Sequence, residues 1–302
     1  MSAPAEAAAH RRVGVLANGL LRELHICWLF SAGDLTATVV PATTFAVAAW
    51  ASKHAGVASL PRILAECLIY FWLYIYTFNL SNQLTGIEED RRNKPHRPLV
   101  VGLVTPLGAK WRLVWATAAF LALGAVLQVL EWTVLWIVAW VFHNLLGGAR
   151  ALWGKNAAMV AGTIAQLAAA WQIVTPLTPA AWTWITAIAI PLSLLVSLQD
   201  LRDVDGDMAV GRRTAAVVFG EMVCRRFFAA AFTVYPIAMH FLIYRNAPGA
   251  AALLGVVAAL LSFVIAYRVL RRRDRRADHT TYLLYTYWYC LTLASSIFAF
   301  AT

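Results

Sequence analysis

An all-α integral membrane fold, nine transmembrane helices around a central cavity, follows from three features of this chain. Its 302 residues are 61% hydrophobic and only 13% charged, against roughly 45–50% and about 25% in soluble domains. The apolar residues fall into nine stretches, each near the roughly 20 residues that a helix needs to cross a bilayer core. The basic residues alternate in density from one side of these stretches to the other. Helices are expected rather than barrel strands. Lipid satisfies no backbone group, and barrel strands read as short alternating segments.

The nine stretches lie near residues 28–51, 59–80, 112–130, 132–149, 157–175, 180–198, 222–244, 249–270 and 281–301. With nine crossings, Lys53, Arg62 and Arg245 fall on one side and every other Lys and Arg of the 25 on the opposite side. Such an excess marks the cytoplasmic face, here of a plasma membrane. It places the N-terminus and the connections after stretches two, four, six and eight in the cytoplasm. The net charge of +10 is thereby accounted for by the bilayer and calls for no nucleic acid. Cys27, Cys67, Cys224 and Cys290 stand far apart without a CxxC and read as small apolar packers. Residues 1–25 are an Ala-rich tail and a short amphipathic segment without the apolar core of a signal peptide. Residues 26–302 form the membrane domain.

The first stretch carries Asp34 and Pro41. A carboxylate there either faces a cavity or caps a helix start, and Pro41 marks a kink or a break. The second stretch runs into NLSNQLTGIEEDRRNKPHRP, residues 79–98. If its helix continues to Asp90, then at about 100° per residue Asn79, Asn82, Gly86, Glu89 and Asp90 share one face and Glu88 points away. Oxygen ligands on one face suit a hard cation such as Mg²⁺ that bridges to phosphate. Two prolines stiffen Asn93-Lys94-Pro95-His96-Arg97-Pro98 and restrict the reach of Lys94 and Arg97, which can neutralise a diphosphate.

Stretches three and four are plain apolar helices, and Glu131 between them is solvated. His143, Asn144, Arg150, Lys155 and Asn156 lie in or beside the connection after stretch four, a third contributor to an anion site. Stretch six ends at QDLRDVDGDMAVGRRT, residues 199–214. Asp200, Asp203 and Asp207 stand at i, i+3 and i+7, on one helix face. Three carboxylates there repel unless a cation joins them. Asp205 and Gly206 belong to the rim or the turn, and Arg212 and Arg213 can fold back over a phosphate. The basic run 268–278 reads as attraction to anionic lipid. Tyr70, Trp72, Tyr74 and Tyr76, Trp136 and Trp140, and Tyr282, Tyr285, Tyr287, Trp288 and Tyr289 are interfacial or packing aromatics, some able to face a carbocation. Both acidic clusters follow a span and lie four spans apart. That spacing implies two four-helix units plus a ninth helix, with the clusters facing one another.

These motifs carry a resemblance. The paired clusters, the NKPxRP tail, and DxxDxxxD followed by GDxxxGRRT resemble the UbiA superfamily of intramembrane prenyltransferases. The resemblance implies two Asp-rich motifs that hold Mg²⁺, a gripped isoprenoid diphosphate, and an allylic cation once diphosphate departs. Asp200, Asp203 and Asp207 match the second motif. The first departs from NDxxDxxxD, since only Asn82 and Asp90 match and Gln83 and Gly86 replace the acids between. Glu89 shares the face and stands in for a ligand. Phe142 and His143 occupy a region where the family has a Tyr. The reduced first motif resembles the branch that includes terpene cyclases, where the cation is quenched within its own molecule.

The resemblance therefore implies Asn82, Glu89 and Asp90 on one Mg²⁺ and Asp200, Asp203 and Asp207 on another, with Asp90, Asp203 and Asp207 indispensable. Lys94, Arg97, Lys155, Asn156 and Arg213 would hold the diphosphate of a farnesyl, geranylgeranyl or similar substrate. The expected activity is class I cyclisation; transfer of the prenyl group to an aromatic or other acceptor is the alternative, and a transporter a remote one. Nothing in the sequence sets the oligomeric state.

Overall fold

A computed structural model describes residues 19–301. Of the expected N-terminal tail, residues 1–18 lie outside the described residues and 19–25 already belong to a helix. Every regular element among the described residues is helical. Helix α1 (19–31) runs into a 3₁₀ turn, Ala32–Ala37, and then into α2 (Val39–Ser52). The two arms bend by 56°. The bend sits at Thr38, and Pro41 follows in the first turn of α2. A proline is tolerated there because its missing N–H would have no partner in any case.

Long helices follow as α3 (Leu60–Thr85), α5 (Pro106–Val126), α6 (Leu130–Trp140), α7 (Gly154–Gln172), α8 (Pro179–Leu195), α11 (Glu221–Met239), α12 (Gly249–Arg271) and α13 (Arg275–Phe300). Short helices α4 (Ile87–Asn93), α9 (Asp200–Ala209) and α10 (Ala215–Phe219) lie between them. Among the described residues six helical segments are long and apolar enough to cross a membrane, or seven if the bent first pair is one span. Of the other expected crossings, Leu130–Leu145 is a shorter apolar helix. The remaining one, α7, carries Lys155, Asn156, Gln166 and Gln172, which dilute its apolar character.

Nine helices among the described residues close into a ring in chain order. Each of α2, α3, α5, α6, α7, α8, α11, α12 and α13 packs on the next, and α13 returns to α2. The ring turns its large apolar side chains outward: Trp111, Trp115, Leu253, Leu260 and Phe241 are all more than half exposed. Inside it, Thr77, Asn79, Gln166, Ser262 and Thr286 are buried. Exposed apolar and buried polar side chains beside an apolar core suit a lipid surround, since apolar side chains lose nothing by facing hydrocarbon and polar groups must find partners within the protein.

The two polar motifs sit at one end of this ring. Helix α3 does not continue through the first motif. It ends at Gly86, which has φ −109° and ψ 22°, and α4 starts afresh from there. Helix α9 is continuous from Asp200, and α4 packs on α9. Gly206 sits at that contact, where a Cβ would meet the Asn93 amide at 2.1 Å. A side chain at that position would push Asn93 aside, so the glycine lets the first motif sit directly on the second.

Candidate active site

Both motifs face one cavity enclosing about 1220 Å³ of space between atoms, its open mouth included. Asn79, Asn82, Glu89, Lys94 and Arg97 reach it from the first motif, and Asp200, Asp203, Asp207 and Arg212 from the second. His143 and Lys155 complete the polar mouth from the connection after α6. Three carboxylates at i, i+3 and i+7 do share one face, as the spacing requires. Asp205 is exposed at the rim, and Glu88 points outward to Arg91 at 2.5 Å.

The chain break at Gly86 changes the first motif. Glu89 lies in the cavity wall, but Asp90 does not. The Asp90 carboxylate is 3% exposed and accepts two hydrogen bonds from one Arg97 nitrogen, at 2.8 and 2.7 Å. Asp90 was expected on the same face as Asn82 and Glu89 because one uninterrupted helix was assumed. Its work here is to aim Arg97, which also donates to Asn82 Oδ1 at 3.2 Å. The Asn82 amide nitrogen donates to Asn144 Oδ1 at 3.2 Å, and Asn144 in turn donates to the Ser81 hydroxyl at 2.7 Å. Asn144 thus locks the orientation of Asn82.

Each acid of the mouth has a basic partner. Lys155 pairs with Asp200. Arg202 meets Asp203 at 3.2 Å. Arg212 bridges the two motifs, at 2.5 Å from Glu89 and 3.3 Å from Asp207. Of the Arg212–Arg213 pair it is Arg212 that enters the cavity wall. Arg213 is exposed and joins Arg150 only through its backbone. Asn156 is also outside the wall and binds the Ser193 carbonyl and the Ser197 hydroxyl at 2.7 and 3.1 Å, holding α7 to α8. Asp34 lines the cavity and accepts a hydrogen bond from Asn79 at 2.9 Å. Thr38, not Asp34, stands at the α2 N-terminus, so of the two readings open for Asp34 the cavity one holds.

The Lys94 side chain makes no hydrogen bond or ion pair among the described residues and stands in the cavity wall. Burial, then the neighbouring Arg97 and Arg202 guanidinium groups, lower its pKa from the ordinary lysine value. Two like charges and partial loss of water both disfavour the protonated form.

No three His, Cys, Asp or Glu side chains among the described residues are grouped to hold a metal by themselves. The donor chemistry nonetheless fits a hard cation. Asn82, Glu89, Asp200, Asp203 and Asp207 supply oxygen only, which is what Mg²⁺ takes. Asp207 Oδ2 is buried with no hydrogen-bond partner. A buried carboxylate oxygen without a partner carries a desolvation penalty that a cation would offset.

Below the mouth the wall turns aromatic. Lys155, Met159, Gly162 and Gln166 follow one face of α7 inward, a depth of roughly 16 Å at 1.5 Å per residue. Tyr74 and Trp136 stack in parallel at 4.3 Å, and Phe78 stacks on Trp136 at 5.2 Å. Trp136 donates to the Tyr74 carbonyl at 2.8 Å, and the Tyr74 hydroxyl to the Gly162 carbonyl at 2.7 Å. A Cβ on Gly162 would stand 2.3 Å from the Trp136 ring, so the missing side chain is what admits the indole. Tyr282, Tyr285 and Tyr289 form the facing wall. Gln166 closes the depth, donating to the Thr38 carbonyl at the bend, at 2.7 Å, beside the Ala42 N–H that carbonyl also accepts, and accepting from Tyr289 at 3.3 Å. Aromatic spacing supplies candidates here but no means of choosing among them. Gln166 and Gly162 carried no signal at all.

Known proteins resemble this chain in sequence and in fold. The model of the UbiA prenyltransferase family matches residues 39–291. Somaliensene A/B synthase of Streptomyces somaliensis is 44% identical over 279 residues, covering 92% of this chain and 93% of that protein. Diterpene cyclase eriG of Hericium erinaceus is 39% identical, covering 91% and 88%. Polyprenyl transferase eriF of the same fungus is 37% identical, covering 91% and 94%. Among solved structures, a UbiA homolog from Archaeoglobus fulgidus bound to GPP and Mg²⁺ superposes with a TM-score of 0.63 at 14% identity, over 87% of this chain and 98% of that one.

Proposed function

Because the chain belongs to the UbiA prenyltransferase family, we propose that it is an intramembrane enzyme that ionises an isoprenoid diphosphate and closes the allylic cation on itself. All nine ring helices cross the bilayer, α6 and α7 included, with the acidic mouth on the cytoplasmic side. The observation that carries the reading is the charge of the cavity. Its wall holds five carboxylates, Asp34, Glu89, Asp200, Asp203 and Asp207, and four cations, Lys94, Arg97, Lys155 and Arg212. An excess of carboxylates repels a diphosphate ester. Two divalent ions offset both that excess and the ester's own charge.

Asn82 and Glu89 on one side, and Asp200, Asp203 and Asp207 on the other, are the groups that would hold Mg²⁺. When bound, the metal supplies Lewis-acid charge to the departing diphosphate. Arg97, aimed by buried Asp90, and unpaired Lys94 orient the phosphate oxygens. Arg212 bridges the motifs across the same mouth and adds positive charge where negative charge grows, the preorganised arrangement that lowers a barrier most. Asn156 and Arg213 lie outside this wall. Their part is to hold α7 on α8 and the motif connection on Arg150. Below, Tyr74, Phe78, Trp136, Tyr282, Tyr285 and Tyr289 exclude water and turn π faces and hydroxyl dipoles to a carbocation.

Cyclisation is favoured by the reduced first motif and by the names of the two relatives at 44% and 39% identity. Transfer to an acceptor is the second reading, and the transferase at 37% identity is the observation behind it. The deciding experiment incubates membranes with geranyl, farnesyl and geranylgeranyl diphosphates, Mg²⁺ and no acceptor, followed by hydrocarbon analysis. A cyclic terpene formed with stoichiometric diphosphate establishes the cyclase. Product that appears only on adding an acceptor establishes the transferase, and no diphosphate release from any substrate sinks both.

A further inference from the structure

A second polar cavity adjoins the first on the side of α1 and α13. It encloses about 1100 Å³ between atoms, open mouth included, and shares Asp34, Lys94, Arg97, Gln199, Asp203 and Tyr282 with the first cavity. The two are therefore separated by a wall only one residue thick. Their charges differ in sign. The lateral cavity adds Arg202 and Arg275 to Lys94 and Arg97, and has only Asp34 and Asp203 against them. Cations exceed carboxylates there, and His96 and His279 stand in its wall as well.

Its donors are poised toward something absent from the protein itself. The Lys94 side chain has no protein partner, as described above. Arg275 is exposed, and one of its nitrogens donates to a single backbone carbonyl, that of Asn93, at 3.0 Å. Asn93 Nδ2 is buried without an acceptor and is a donor an anion can take, whereas the unpartnered oxygen of Gln83, 2% exposed, is itself an acceptor and takes no part in holding an anion. Buried amide groups with unmade hydrogen bonds are uncommon and mark places where a polar ligand completes the network. Arg202 lies over the Tyr282 ring at 5.1 Å and donates to His279 at 2.8 Å. Its guanidinium is thereby fixed in the lateral cavity, against the shared-wall residues Tyr282 and Asp203.

Chemistry says which anion needs such a place. Once the prenyl group has left, inorganic diphosphate sits in a carboxylate-lined pocket inside a membrane protein. It cannot cross the apolar ring, and Lys94 and Arg97 already face both cavities. We propose that the lateral cavity is a metal-independent anion site that takes inorganic diphosphate out of the reaction chamber, with Arg275, Arg202, Lys94 and Asn93 as its donors. This assigns Arg275, part of a run that reads from sequence as lipid-attracting, a second task at the protein interior. The identity of the anion rests on the proposed function; the existence of the site does not.

The test uses the full chain in neutral detergent with EDTA, so that no metal-dependent step takes part. Titration calorimetry with inorganic diphosphate is expected to show one saturable site. Arg275→Gln is expected to weaken it about tenfold, the equivalent of about 1.4 kcal/mol for one charged hydrogen bond. Arg275→Lys is expected to retain most of the affinity, which separates charge from fold. In turnover with Mg²⁺, Arg275→Gln is expected to weaken product inhibition by added diphosphate to a similar degree. Absence of binding in EDTA, or equal binding by wild type and Arg275→Gln, overturns the proposal. So does loss of diphosphate binding in nanodiscs containing phosphatidylglycerol but not in neutral ones, which would make the cavity a lipid headgroup site. Failure of the enzyme reading would abolish turnover in every form and leave the EDTA titration intact.

Discussion

Replacing Arg212 by Gln probes the contact on which the two motifs meet. Its guanidinium lies 2.5 Å from Glu89 and 3.3 Å from Asp207 and is 15% exposed. Removing it leaves two adjacent carboxylates without a shared base. A charged hydrogen bond is worth about 1.5–3 kcal/mol, and partial exposure places this one at the lower end. A loss of about 1.5 kcal/mol corresponds to roughly tenfold in kcat/KM. The change has a signature beyond its size. The variant cavity is more negative, so half-saturation by Mg²⁺ should move to lower concentration while KM for the prenyl diphosphate rises. Diphosphate release, measured over a grid of Mg²⁺ and substrate concentrations, reads both. The reasoning is refuted if Arg212→Gln leaves both parameters unchanged while Arg213→Gln, an exposed neighbour outside the wall, alters them.

Three further outcomes follow from the same geometry. Gly162→Ala puts a methyl 2.3 Å from the Trp136 ring; overpacking of about 1–3 kcal/mol should lower thermal stability and shift the product mixture, and an unchanged mixture by gas chromatography would remove Trp136 from the reacting wall. Asp278→Asn unpairs Arg225, which is 0% exposed and bonded to Asp278 at 2.7 Å. That change should cost about 3 kcal/mol, the low end because Glu221 remains, and thermal unfolding in detergent measures it against Asp278→Glu. Lys94, lowered from its ordinary pKa by burial and by Arg97 and Arg202, is charged below its folded value and loses that charge as pH rises through it. KM for the prenyl diphosphate should therefore climb with pH on the alkaline side, while Lys94→Arg, which keeps its charge, should stay flat; identical profiles would discard Lys94 as a phosphate ligand.

The fold was legible where hydropathy and charge act over long stretches. Nine apolar segments and a lopsided distribution of Lys and Arg point to the ring without any knowledge of contacts. Asp200, Asp203 and Asp207 were legible because one unbroken helix turns spacing into direction. Asp90 was not, because Gly86 ends α3 within the motif and spacing across a break says nothing of direction. Arg212 and Arg213 are chemically equivalent in sequence, and only the turn after α9 decides which one faces inward. Gly162, Gln166 and the unpaired amides of Gln83 and Asn93 were invisible for a further reason. Their roles depend on which helices become neighbours in the ring, a property of closure rather than of any local pattern.

The ion pairs of the mouth, Lys155 with Asp200 and Arg212 with both Glu89 and Asp207, bear on the order in which ligands are taken up. A divalent ion arriving alone must evict an ammonium or guanidinium group from its carboxylate, and a diphosphate arriving alone finds those same groups engaged. Supplied together, each ligand frees what the other needs: the ion takes the oxygens, and the displaced Lys155 and Arg212 turn to the phosphates. Such an exchange makes uptake of metal and substrate mutually reinforcing. Linkage then requires each to tighten the other by the same factor. Under that exchange the reaction chamber, with Lys155 and Arg212 engaged, would hold neither ligand firmly by itself.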